Sequence, residues 1–180
     1  MIYLVRHGEA AANFAGHADP GLSERGKREA ALAAEQLAHL NSAQLLSSPL
    51  RRAQETAQVL GQRLGKTPKI EPRVAEIPSP TTELEERARW LGRIMAGTWT
   101  SLPAELQAFR QGIIDCLGEQ PQDTIIFSHF VAINLAVGAA TDDPLMVVFR
   151  PANASITQIE VKSGRLRVIE LGKEGQTKIN

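Results

Sequence analysis

Two stretches place a histidine directly behind an apolar run. Arg6-His7-Gly8-Glu9 follows Ile2 to Val5, and Ser128-His129 follows Thr124 to Phe127. A third run, Gln44-Leu45-Leu46-Ser47, leads through Ser48-Pro49-Leu50 to the pair Arg51-Arg52. Imidazole supplies a nucleophile or a proton carrier near neutral pH. Guanidinium forks match phosphate oxygens in pairs, and helix N-termini add backbone N–H donors. Together these groups suit a phosphoryl group. A lone histidine at the end of a strand is often only a satisfied polar residue. Two at equivalent ends of neighbouring strands weigh more. An arginine in the first turn of a helix opposes the helix dipole, so Arg51 and Arg52 ask for an anion, with one of them free to face solvent.

For these residues to meet, the runs that precede them must lie side by side. Short apolar runs bounded by polar residues read as buried parallel strands. Helical patterns alternate with them. Leu22 to Leu40 carries Ala30, Ala33, Ala34, Leu37 and Leu40 on one stripe, with Ser23 as N-cap. Pro49 suits a first helical turn after Ser48 as N-cap, and Ala53, Thr56, Ala57, Leu60 and Leu64 form one face behind it. Leu84, Ala88, Leu91 and Met95 define a further helix, and Leu106, Phe109, Ile113 and Leu117 another. Val131 to Ala140 is apolar nearly all round and reads as a buried helix. Ser155 to Val161 and Leu166 to Leu171 flank Ser163-Gly164, a hairpin signal. The expected fold is α/β: a mostly parallel sheet with helices on both faces and an antiparallel C-terminal edge hairpin. In such sheets ligands bind beyond the carboxyl ends of the strands, where both histidines stand.

The chain has 180 residues, a length that suits a single domain over 1–180. Lys+Arg and Asp+Glu are 20 each, so no basic excess points to a nucleic-acid partner. The single cysteine, Cys116, cannot form an internal disulfide or a Cys-rich zinc module. No apolar run is long enough to span a bilayer, and residues 1–6 do not resemble a signal peptide. A cytoplasmic protein without membrane partners is expected. Its oligomeric state is not readable.

Arg6-His7-Gly8-Glu9 resembles the RHGE signature of the histidine phosphatase superfamily, the phosphoglycerate mutase-like proteins, branch 1. The resemblance extends along almost the whole chain. Asn13 follows the histidine at the family's spacing, and Gly21-Leu22-Ser23-Glu24-Arg25-Gly26 resembles its P-L-T-E-x-G helix start. The segment from Ser47 to Ala57 is close to S-x-P-L-x-R-A-x-x-T-A, with Arg52 as the matching arginine. Ser128-His129 matches the second histidine, and Asn153-Ala154-Ser155-Ile156 matches the N-x-S-I start of a late strand. Three features depart from the pattern. Phe130 stands where Gly is usual and is expected to narrow the pocket or line it with an aromatic wall. Ala10 replaces Ser or Thr, and the loop from Ala10 to Gly21 is shorter than in the family's sugar-phosphate mutases.

The resemblance implies catalysis by His7, Arg6, Arg52, His129 and Glu76, with Asn13, Gly8 and Glu9 around the substrate. His7 would attack phosphorus, and water would hydrolyse the phosphohistidine. The nucleophile must be neutral, and nearby Arg6 and Arg52 favour that state. The same arginines, with His129, would hold the equatorial oxygens, and Asn13 would donate another hydrogen bond. Glu9 is expected to fix Arg6 or the His7 tautomer. Glu76, flanked by Ile77 and Pro78, stands where the family keeps its general acid. No metal or cofactor is implied. The substrate would be a phosphorylated small molecule or protein, with phosphohistidine on a protein included. A mutase and a phosphate-binding regulatory protein are the alternatives.

Other signals are weaker. Residues 21–28 nearly spell a Walker A loop, but Arg28 stands where Ser or Thr must hold Mg²⁺. His7-Gly8-Glu9 matches the H-x-E of zinc deaminases, yet one cysteine cannot supply their Cys pair. A zinc site from His7, His129, Glu9 and Glu76 would be opposed by the arginines. His17 and His39 read as surface residues, and Cys116 as helix core. Arg87, Arg89 and Arg93 read as a solvated helix face paired with Glu83, Glu85 and Glu86, with a lid contact to a phosphate as the alternative.

Overall fold

The computed structural model describes residues 1–11, 19–121 and 123–175. Its centre is a six-stranded sheet in the order β3-β2-β4-β1-β5-β6. The strands are β1 (Ile2–Arg6), β2 (Gln44–Ser47), β3 (Lys69–Ile70), β4 (Thr124–Ser128), β5 (Ile156–Lys162) and β6 (Arg165–Glu170). β1 to β4 run parallel; β5 pairs antiparallel with β1, and β6 antiparallel with β5. The expected mixed sheet with its edge hairpin is present. Ser163 and Gly164, both at positive φ, make the hairpin turn.

The apolar runs are continuous because both faces of the sheet are covered. Side chains alternate along a strand, so each strand feeds two cores. Ile2, Leu4, Leu46 and Ile126 pack with α4 (Ala104–Glu119) and α5 (Phe130–Thr141). Val5, Leu45, Ile125 and Phe127 pack with α1 (Glu24–Leu37) and α2 (Arg51–Leu64). Nine consecutive residues of α5, Phe130 to Gly138, are buried, as its lack of a polar face requires.

Two helix starts differ in outcome. Ser23 caps α1, its hydroxyl accepting from the Gly26 amide at 2.9 Å. α2 begins at Arg51, two residues beyond the expected Pro49, with Leu50 at the cap position. The Ser48 hydroxyl is drawn inward to a histidine instead. Asp19 takes over the capping: its carboxylate accepts from the Arg51 amide at 2.9 and 3.1 Å. A further helix, α3 (Leu84–Met95), follows a 3-10 turn at Pro72–Val74 and the loop carrying Glu76.

The register puts the strand ends level. Arg6 lies opposite Ser128, and Ser47 opposite Phe127. The residues that follow β1, β2 and β4 therefore emerge at one edge. Among the described residues, no helix is long and apolar enough to cross a membrane.

Candidate active site

His7 and His129 stand at the ends of adjacent strands, with ring centroids 5.1 Å apart. Both are buried, at 8% and 0% exposure. His7 Nδ1 lies 2.7 Å from the Gly8 carbonyl, an acceptor, so Nδ1 carries the proton. The other nitrogen, Nε2, is then a lone pair, and the Arg52 Nε–H donates to it at 3.1 Å. Burial, Arg52 and Arg6, in that order, hold the imidazole well below the usual histidine range. A neutral His7 whose unprotonated Nε2 accepts from Arg52 is the result.

His129 is fixed from another strand. Its Nε2 lies 2.7 Å from Ser48 Oγ. That oxygen also accepts from the Leu50 amide at 3.2 Å, which leaves it one lone pair and its own proton for the contact with Nε2. Its other ring nitrogen, Nδ1, is buried and has no hydrogen-bond partner among the described residues. Burial, followed by Arg52, His7, Arg6 and Arg87, keeps His129 uncharged.

Arg6 and Arg52 are buried, with Arg52 at 2% exposure, whereas Arg51 faces solvent and pairs with Glu55 at 2.7 Å. Arg6 donates from Nη1 to the Pro151 carbonyl at 2.7 Å. Its guanidinium sits 5.3 Å from the centroid of the Phe130 ring. Burial lowers the Arg6 pKa to about 10, against the pull of Glu76 and Glu29. Arg52 is lowered by burial as well, while Glu76 and Asp19 favour its charge. The Asp19 carboxylate is 3.8 Å from Arg52 Nη1.

Glu76 is half-buried, and its Oε1 accepts from the Ile77 amide at 3.0 Å. Burial raises its pKa, although Arg52, that amide, Arg6 and Arg87 all favour the carboxylate. The loop is tied to β4, since Ser128 Oγ donates to the Val74 carbonyl at 2.7 Å.

The structure thus brings Arg6, His7, Arg52, Glu76 and His129 into one electrostatic cluster. Asn13 and His17 lie outside the described residues. Gly8 has a shaping part: its amide donates to Thr56 Oγ1 at 3.1 Å and its carbonyl takes His7. A Cβ at Gly8 would stand 2.4 Å from the Gly26 carbonyl oxygen, so two glycines let the loop after β1 press on α1. Glu9 is turned away from the expected task. Its carboxylate accepts from Ser23 Oγ at 2.7 Å and lies 3.6 Å from Arg25, while Gly8 sets the His7 tautomer. Phe130 is no pocket wall; at 3% exposure it belongs to the core and backs Arg6. Arg89 and Arg93 are exposed, as a solvated stripe requires. Arg87 is half-buried, and its charge acts on Arg52, Glu76 and His129, so it joins the site. His39 is exposed, and Cys116 is core, its thiol pushed up to about 12 by burial.

The profile of the Histidine phosphatase superfamily (branch 1) matches residues 2–174. The chain belongs to this superfamily. Its activity is therefore of the general phosphatase and mutase type. A protein of Erwinia tasmaniensis named "Probable phosphoglycerate mutase GpmB" is 26% identical over 89% of this chain and 84% of its own length. The protein of that name from Yersinia pestis (strain Pestoides F) is 32% identical over 54% of this chain and 51% of its own. Among solved structures, a phosphoserine phosphatase from Entamoeba histolytica superposes with a TM-score of 0.76 at 21% identity, covering 97% of both chains. A mycobacterial glucosyl-3-phosphoglycerate phosphatase gives 0.72 at 24%, covering 94% of this chain and 96% of its own. These likenesses establish the fold of this histidine phosphatase superfamily member.

Proposed function

We propose that this superfamily member is a metal-independent phosphatase that hydrolyses a phosphomonoester, or a phosphohistidine, through phospho-His7. The observation that carries the reading is the state of His7: neutral, protonated on Nδ1 by its bond to Gly8, with the Nε2 lone pair facing Arg52. The Nε2 pair attacks phosphorus in line as the bond to the leaving oxygen breaks. Arg52 moves its N–H donors from Nε2 to the phosphoryl oxygens. Arg6, Arg52 and His129 take up the negative charge that builds on those oxygens. Glu76 delivers its proton to the leaving oxygen. In the second half, the Glu76 carboxylate takes a proton from water as that water attacks phosphorus. The N–P bond breaks, and inorganic phosphate and neutral His7 are restored. Two buried guanidinium groups oppose a divalent cation, so the charge stabilisation is assigned to them.

The relatives' mutase name favours one second reading, in which another hydroxyl instead of water takes the phosphoryl group from His7. Aryl phosphate with EDTA separates the possibilities. The expected result is turnover together with an acid-labile, base-stable phosphoprotein that His7→Ala abolishes. His7→Ala turnover at the wild-type rate would remove His7 as nucleophile. Loss of turnover in EDTA would point to a metal hydrolase. Phosphate binding without turnover would favour a regulatory protein. Phosphorylation of an added alcohol faster than release of phosphate would favour the mutase.

A further inference from the structure

Arg6 is held by a carbonyl from the far end of the chain. Its Nη1 donates to Pro151 O, 145 residues away. Pro151 is buried and forms an antiparallel bridge with Glu174. The ladder bonds flank this pair. The Ala152 amide donates to the Lys173 carbonyl at 2.8 Å, and the Gly175 amide donates to the Arg150 carbonyl at 3.1 Å. Pro151 therefore occupies the non-hydrogen-bonded position of the bridge. Its missing N–H leaves no donor unsatisfied there, and its carbonyl turns away from the tail toward Arg6. The Glu174 side chain adds a third bond, accepting from the Arg150 amide at 2.8 Å. Gly172 starts the return with its amide on Thr157 Oγ1 at 3.1 Å.

We propose that the C-terminal segment 172–175 is a positioning element for Arg6: it clamps residues 150–152 so that the Pro151 carbonyl holds the guanidinium in register with His7. The arrangement has the parts that such a task needs. Arg6 is gripped on one side by Phe130 and on another by Pro151. The amide of Arg6 is pinned by the Ser155 carbonyl at 3.1 Å, within the same returning chain. The inference rests on the reading that Arg6 holds the phosphoryl group.

The test is a double-mutant cycle with Glu174→Ala and Gly175→Pro, each made alone and with Arg6→Ala. Both act on the bridge, the first through one side-chain bond and the second by removing the N–H given to Arg150 and by setting a Cβ 2.9 Å from that of Ala152. The expected loss in kcat is about two- to tenfold for Glu174→Ala, the range for one hydrogen bond, and larger for Gly175→Pro. In the Arg6→Ala background both losses should shrink to less than about twofold, since coupled residues are non-additive. Inorganic phosphate affinity, followed by calorimetry, should fall in parallel in the wild-type background. Urea midpoints identify a variant that has merely unfolded, and Glu174→Ala, which keeps the backbone bridge, then carries the test. Losses equal in both backgrounds, or tail variants with unchanged kcat and phosphate affinity, would overturn the inference and leave the phosphatase reading intact. A wild type that binds phosphate but never turns over would overturn the phosphatase reading, while the affinity cycle would still decide the tail.

Discussion

Glu76→Gln removes a transferable proton and keeps the shape of the side chain. An unperturbed glutamic acid near 4.3 would be protonated only about 0.2% of the time at pH 7, a penalty of roughly 3.7 kcal/mol for a general acid. In this structure burial raises the Glu76 pKa against the charges of Arg52, Arg6 and Arg87, so the penalty is smaller. The gain from a placed acid is about 10²–10⁴-fold in rate, or ~2.7–5.4 kcal/mol. It depends on the leaving group. An alkoxide is about as basic as hydroxide, with a conjugate acid near ~16. A phenolate has a conjugate acid near ~10 and can depart with little help. Glu76→Gln should therefore cost about 10²–10⁴-fold in kcat on an alkyl phosphate and less than about tenfold on an aryl phosphate. The pH profile supplies a second reading of the same step. Protonated Glu76 is lost as pH rises through its raised pKa, which should set the basic limb on alkyl phosphates. Neutral His7 is lost as pH falls through its depressed pKa, which should set an acid limb below about 6.5. The variant should lose the basic limb and keep the acid one. Equal losses on the two substrates, or an unchanged basic limb, would refute the assignment of the proton to Glu76.

Stability should fall on acidification. His7 and His129 have folded pKa values below the unfolded value of about 6.5, so the unfolded chain binds more protons below that pH. The slope reaches at most about 1.4 kcal/mol per pH unit for each histidine. Urea titrations at stepped pH should show it, and His129→Gln should remove one proton's share. Arg87 favours the Glu76 carboxylate, so Arg87→Ala should move the basic limb of the alkyl-phosphate profile upward, and an unmoved limb would place Arg87 outside the site.

Some expectations failed for reasons that are local and instructive. Ser48-Pro49 has the look of a helix start, yet capping by Ser48 competes with its bond to His129, and Asp19 arrives from another loop to take the vacant amide. Glu9 and Phe130 were read from their neighbours in the chain. Glu9 instead answers to the N-terminus of α1, and Phe130 to the core beneath Arg6. The stripe Arg87, Arg89 and Arg93 has one spacing whether it meets water or a site. Only the packing of α3 distinguishes Arg87 from the exposed pair.

What could be read directly was whatever depends on short-range pattern. Apolar runs with a polar residue at the end specify buried strands, because alternate side chains must fill cores on both faces. The hairpin needed only Ser163-Gly164 between two alternating runs. Arg6, His7, Arg52 and His129 were legible because each stands just past such a run or in the first turn of the helix after it. Their protonation and grip were not legible. His7 takes the Arg52 N–H from 45 residues away, His129 meets Ser48 across 81, and Arg6 rests on Pro151 across 145. Each bond depends on which strand lies beside which, and on a buried environment that makes neutral imidazole the favoured form. Sequence spacing names the groups at the strand ends; only the packed sheet decides which nitrogen carries the proton and which carbonyl holds the arginine.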